Sequence, residues 1–175
     1  MPVDFLTAEQ QKRYGRFAGE PTPEQLAKFF HFDEAALAFV RGNLGRALQL
    51  GTVRFLGTFL NNPADAPTNV IRYVAQQLNV VDPFGFLDTY RQSQMVRVHA
   101  REIRAEYGYR DLSEPFEVFR LLRWLYARAW GSATRPSVLF DLATARLVEH
   151  KVILPGVTTL SRLVSRVRER ATLRL

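Results

Sequence analysis

Apolar positions recur at three- and four-residue spacing almost from end to end of the chain, and alternating apolar and polar runs between paired turn signals are scarce. This pattern predicts an all-α fold with strand content close to nil. Thr22, Pro23 and Gln25 supply an N-cap, a first-turn proline and a capping-box partner for a short helix through Phe30. Asp33 caps the next helix, which is expected to stop near Gly42. From Arg46 to Leu60 the apolar residues Leu48, Leu50, Val53, Phe55, Leu56, Phe59 and Leu60 fall nearly all round, so this helix is expected to be central and buried. Further starts are marked by Pro67-Thr68, Asp82-Pro83, Ser113 and Arg135-Pro136, and further stops by Gly108 and Gly131.

The connections between these helices are short and no Gly/Ser- or Pro-rich linker occurs. A compact multi-helix domain is expected, made of two packed helical subdomains over residues 1–90 and 91–175. Laid over itself at an offset of 69, the chain matches Arg54 with Arg123, Leu56 with Leu125, Ala64 with Ala133, Pro67 with Pro136 and Leu78 with Leu147. These coincidences raise a tandem repeat of one helical unit as an expectation.

With 47% hydrophobic and 23% charged residues, the 175-residue chain can bury a core. It has no cysteine, which excludes disulfides, thiolate zinc sites and cysteine nucleophiles. Neither a signal peptide nor a spanning helix is expected, because the apolar runs are broken by Arg, Gln or Gly and MPVDFLTAEQQKR lacks a basic start before an apolar stretch. The 24 Lys and Arg exceed the 17 Asp and Glu by seven, and all of that excess lies in residues 91–175. Most of the basic residues are Arg, the better side chain for bidentate contact with phosphate and guanine. A polyanionic partner follows.

Three helical faces carry that charge. Between Ser93 and Tyr107, the residues Arg97, Arg101 and Arg104 fall within an arc of about 60° beside Val96, Ala100, Ile103 and Tyr107, a comb suited to phosphates. Between Phe119 and Trp130, the residues Arg120, Trp124 and Arg128 lie opposite Leu121, Leu125 and Ala129. There the ring either stacks on sugar-phosphate or packs under a neighbouring helix. At the end of the chain a helix over 137–149 is followed by a turn over 150–156, with Thr158 or Thr159 capping a second helix through about Ala171. Leu160, Leu163, Val164, Val167 and Ala171 take one narrow arc of that helix, leaving Thr158, Ser161, Arg162, Ser165 and Arg166 on the far side. Small hydroxyl residues with interspersed Arg suit a recognition helix in a helix-turn-helix-like pair. Thr159 and Lys151 join this candidate DNA face, and Arg13, Arg16 and Arg54 are weaker candidates in the first half.

Catalysis finds little support. His31, His99 and His150 stand far apart and outside metal-binding spacings, and His31 among Phe29, Phe30 and Phe32 reads as packing. No Walker or dinucleotide glycine motif occurs, and GNLG from Gly42 lacks the strands that a KH loop requires. No catalytic residue, metal or cofactor is assigned.

Several blocks in order carry a resemblance: MPVDFLTAEQQKRYGRFAGEPTPEQLAKFF, LQLGTVRFLGTFL, HAREIRAEYGYRDL, and RWLYARAWGSATRPSVLFDLATARLVEHKVILPGVTTLSRLVSRVRERA. From Met1 to about Ala171 they resemble the N-terminal region of transposases of the Tn-three family, the replicative, cointegrate-forming enzymes. The resemblance implies a helical, non-catalytic module that binds the terminal inverted repeats of a transposon as double-stranded DNA. It further implies a place ahead of the domain with the acidic DDE site, which lies beyond this chain's length, and a bacterial cytoplasmic, nucleoid-associated location. The remaining transposase domains would be partners, with homodimerisation on DNA among the expectations. The family's longer Arg- and Asn-rich loop is shortened here to RGNLGRALQL, so the resemblance assigns no role to Asn43 or Arg46. The alternative is a helical interaction or oligomerisation module with only non-specific DNA affinity.

Overall fold

The computed structural model describes residues 5–173, and among them the protein is all-α apart from two two-residue strands. The chain parts into two compact units. One is continuous, Gly15–Gly108; the other is discontinuous, Met1–Tyr14 with Tyr109–Leu175. The expected division at residue 90 does not coincide with this one, because α7 (Met95–Tyr107) packs against α4 (Leu44–Leu56) inside the continuous unit.

Helix α1 (Ala8–Arg13) has no apolar spacing to announce it, since AEQQKR buries no residue. Its signal is the Thr7/Gln10 capping box. In the continuous unit, α2 (Pro23–Phe29) starts at the expected Thr22 capping box and α3 (Glu34–Val40) at Asp33. Every residue from Leu44 to Val53 in α4 is buried, including the polar Arg46, Gln49 and Thr52. Asn43 caps α4 by accepting from the Arg46 amide, and Gly57 ends it in the left-handed conformation, four residues short of the expected Leu60. A 3-10 turn (Pro63–Asp65), α5 (Thr68–Gln77) and α6 (Pro83–Tyr90) complete the shell around it. Two glycines make this central position workable. A side chain at Gly45 would overlap the Tyr90 ring and one at Gly51 the Phe30 ring, so both aromatics lie directly on the α4 backbone.

In the discontinuous unit, α8 (Pro115–Trp130), α9 (Pro136–Glu149) and α10 (Val157–Thr172) pack as three helices, with α10 against both of the others. Strands β1 (Arg110–Asp111) and β2 (Val152–Ile153) pair in parallel, pinning the entry to α8 beside the α9–α10 connection. The core joins Leu121 and Leu125 to Leu139, Phe140 and Leu147 and to Leu160, Val164 and Val167. Phe5 and Tyr14 close over Phe140 at ring distances of 6.5 and 5.3 Å. The Tyr14 hydroxyl donates to the Pro155 carbonyl at 2.7 Å, and burial raises that phenol's pKa.

Three local expectations are corrected. Helix α10 begins at Val157 after Gly156 with no side-chain cap, so Thr158 and Thr159 lie in its first turn. Helix α8 begins at Pro115 rather than at Ser113. His31 is exposed, and the buried imidazole is His99 at 4%. The offset-69 match places helix, turn and helix in both segments, yet α4 ends at Leu56 while its counterpart α8 runs on to Trp130.

Candidate nucleic-acid interface

The two units differ sharply in charge. The discontinuous unit holds fourteen basic and eight acidic residues, a net +6, whereas the continuous unit holds ten and nine, a net +1. Placing α7 with α4 thus leaves the excess on α8, α9, α10 and their connections.

Helix α10 turns Leu160, Val164, Val167 and Ala171 inward. On its outer side Thr158, Arg162, Arg166 and Arg170 stand at successive four-residue steps, all exposed, with Thr159 beside them. Arg170 extends the expected face by one step of the same spacing. Ser165 is half-buried. Ser161, expected on the outer face, is not there: it is 2% exposed and its hydroxyl donates to the Thr158 carbonyl of its own helix. The reason is that α10 packs on two helices, which widens its buried arc beyond the apolar residues alone. Arg168, on the same shoulder, donates to the Ala129 and Ser132 carbonyls and so satisfies the end of α8.

A second cationic cluster lies where α8, α9 and the β pair meet. Glu117, buried in the first turn of α8, receives Arg110 Nη1 at 2.8 Å and Arg120 Nη1 at 3.1 Å on one carboxylate oxygen. Arg110 Nη2 donates to the His150 carbonyl at 3.0 Å. Trp124 is half-buried, and the Arg128 and Arg146 guanidinium carbons lie 5.0 and 5.1 Å from its ring centroid. The ring therefore packs beneath two guanidinium groups. Lys151 stands over Tyr109 at 5.7 Å. Arg110 and Arg146 carry no signal in the sequence, because they contribute to no face of α8 considered alone.

In the continuous unit Arg97 and Arg101 are exposed and Arg104 is half-buried. Arg97 and Arg101 line a cleft of about 880 Å³ with Asn61 and Arg91, between the segment after α4 and the start of α7. Glu102 points away from this comb and pairs with Arg46 at 2.7 Å. Asn43 and Arg46 thus have structural work, one capping α4 and the other bridging α4 to α7. Arg54 likewise packs between rings, 5.7 Å from Phe32 and 5.4 Å from Tyr107. Arg16 is exposed, and Arg13 sits 3.8 Å from Glu9 on α1.

Large apolar side chains also face solvent on α8: Phe116 is 75% exposed, Phe119 63% and Trp130 55%. Among the described residues no group of three or more His, Asp or Glu could hold a metal ion, and no helix is long and apolar enough to cross a membrane.

Residues 5–167 match the family described as Domain of unknown function (DUF4158). The chain is 48% identical over its whole length to 18% of the transposase for transposon gamma-delta of Escherichia coli (strain K12). It is 31% identical over 98% of its length to the transposase for transposon Tn1546 of Enterococcus faecium, and 27% identical over 87% to that for transposon Tn501 of Pseudomonas aeruginosa. It spans less than a fifth of the length of each of these relatives. The chain belongs to the DUF4158 family and is similar to the N-terminal region of Tn-three family transposases.

Proposed function

We propose that this chain is a non-catalytic DNA-binding module of a transposase, recognising the terminal inverted repeats of a transposon for DNA transposition in the bacterial cytoplasm. The observation that carries this reading is the outer face of α10, where Thr158, Arg162, Arg166 and Arg170 form one exposed line on a unit of net charge +6. The α9–α10 pair acts as the helix-turn-helix-like element. Thr158 and Thr159 leave the first turn of α10 slim enough to enter a major groove, and Arg162, Ser165 and Arg166 approach base edges. Arg120, Arg128 and Lys151 fix position on phosphates, as do Arg97, Arg101 and Arg104 from the continuous unit. Arg13 and Arg16 are peripheral, and the ring contacts of Arg54 make it a packing residue first.

A mobility-shift titration against inverted-repeat and scrambled duplexes tests this. Preference for the inverted repeat, lost in Arg162→Glu/Arg166→Glu, supports it; equal affinity for both duplexes overturns the specific role.

The exposed Phe116, Phe119 and Trp130 favour a second reading, in which the module instead holds other parts of a transposase or a second copy and has only non-specific DNA affinity. Loss of oligomerisation with intact DNA binding on charge reversal at Arg162 and Arg166 supports that reading.

A further inference from the structure

The cluster around Glu117 has more positive charge than its own structure uses. Two guanidinium groups share one oxygen of a carboxylate that is only 6% exposed. One Arg would neutralise it. Arg110 is further fixed by its bond to the His150 carbonyl, and its Nε is buried with no hydrogen-bond partner. Arg146 adds a third guanidinium, which lies on the Trp124 ring and has no ion pair among the described residues. Arg110, Arg120 and Arg146 line one small recess of about 40 Å³ together with Glu117, His150 and the apolar Leu121. Its walls come from β1, α8 and the end of α9, elements held together by the core and by the β1–β2 pair.

We infer that this recess is a preorganised binding site for a single phosphate group, with Arg110, Arg120 and Arg146 as its ligands and Glu117 and Trp124 as the residues that position them. Arg is suited to this role because its planar fork offers several donors in fixed directions and stays charged. The recess has room for about one oxyanion edge rather than a nucleotide, so a backbone phosphodiester is the natural occupant. Glu117 holds Arg110 and Arg120 in place before the ligand arrives, and Trp124 does the same for Arg146, which lowers the ordering cost of binding. The inference rests on the DNA-binding reading for the source of the phosphate and adds Arg110 and Arg146 to the residues that meet it.

Two measurements on the whole chain test it. In a Trp130→Phe background Trp124 is the remaining tryptophan, and inorganic phosphate is expected to change its fluorescence saturably, an effect lost in Arg146→Gln and regained in part in Arg146→Lys. Duplex binding followed against salt is expected to lose about one unit of its log–log slope in Arg146→Gln, and equally in Arg120→Gln, which leaves Arg110 on Glu117. An unchanged slope in both variants, with no response to phosphate, overturns the site while leaving DNA binding intact. A wild-type response to phosphate without any duplex binding supports the site and overturns the DNA-binding reading instead.

Discussion

Arg46 of α4 and Glu102 of α7 form an ion pair of 2.7 Å in which the arginine side chain is 10% exposed and the glutamate 44%. The guanidinium also lies 4.1 Å from the centroid of Phe39. Removing the carboxylate leaves a nearly buried cation alone, which in fully buried pairs costs about 3–5 kcal/mol. Because Glu102 is half-open to water, Glu102→Gln is expected to cost less, about 2 kcal/mol. Urea unfolding measures it, and Arg46→Met added to Glu102→Gln is expected to recover part of the loss.

Beside that pair, Gln49 Nε2 donates to the Tyr90 hydroxyl at 2.7 Å, and Tyr90 lies 2.8 Å from His99 Nδ1. With its own proton directed at His99, Tyr90 needs a neutral imidazole. Burial and the Arg46 charge lower the His99 pKa from its usual 6.5, while burial pushes the Tyr90 phenol up to about 12. On unfolding His99 regains its ordinary basicity, so below about pH 6.5 the unfolded chain binds the extra proton and stability falls. The loss is expected to begin as the pH drops through 6.5 and to saturate below the folded-state pKa. Denaturation midpoints between about pH 5 and 7 check this, and His99→Gln is expected to flatten the dependence.

Gly45 has no room for a methyl group against the Tyr90 ring, whereas a Cβ at Gly131 would meet nothing within 4 Å. Gly45→Ala is expected to destabilise the continuous unit by about 1–3 kcal/mol through overpacking. Gly131→Ala, at the end of α8, is expected to change the thermal midpoint little.

On α10, burial separates Ser161 from the two arginines that follow it. Ser161→Ala removes a hydroxyl bonded within its own helix and is expected to leave duplex affinity unchanged. Arg162→Ala and Arg166→Ala are each expected to weaken inverted-repeat binding by about 1–3 kcal/mol at every salt concentration while leaving the salt slope near its wild-type value, as loss of a base-edge contact does. A duplex titration at several salt concentrations tells them apart.

Much of this architecture is legible in the sequence because the signals are local. The Thr22 capping box, the Asp33 cap and the all-round apolar pattern of α4 need no partner to be read. What stays hidden depends on neighbours. Ser161 and Arg168 sit at the shoulder of α10, where packing on α8 and α9 decides burial and a single helical wheel does not. The Glu117 cluster joins residues from β1, α8 and α9, so no spacing within one helix announces it. Charge misleads in another way: halving the chain by number places the comb of α7 with the basic C-terminal helices, although α7 belongs with α4.

Gln10 of α1 donates to Asp141 and to the Ser137 carbonyl on α9, just as Tyr14 reaches Pro155. During synthesis the first helix therefore waits for partners made more than a hundred residues later, whereas residues 15–108 make up a compact unit from one continuous stretch of chain. Shortening the chain at its beginning is accordingly an injury to its end, felt at α9 and at the base of α10.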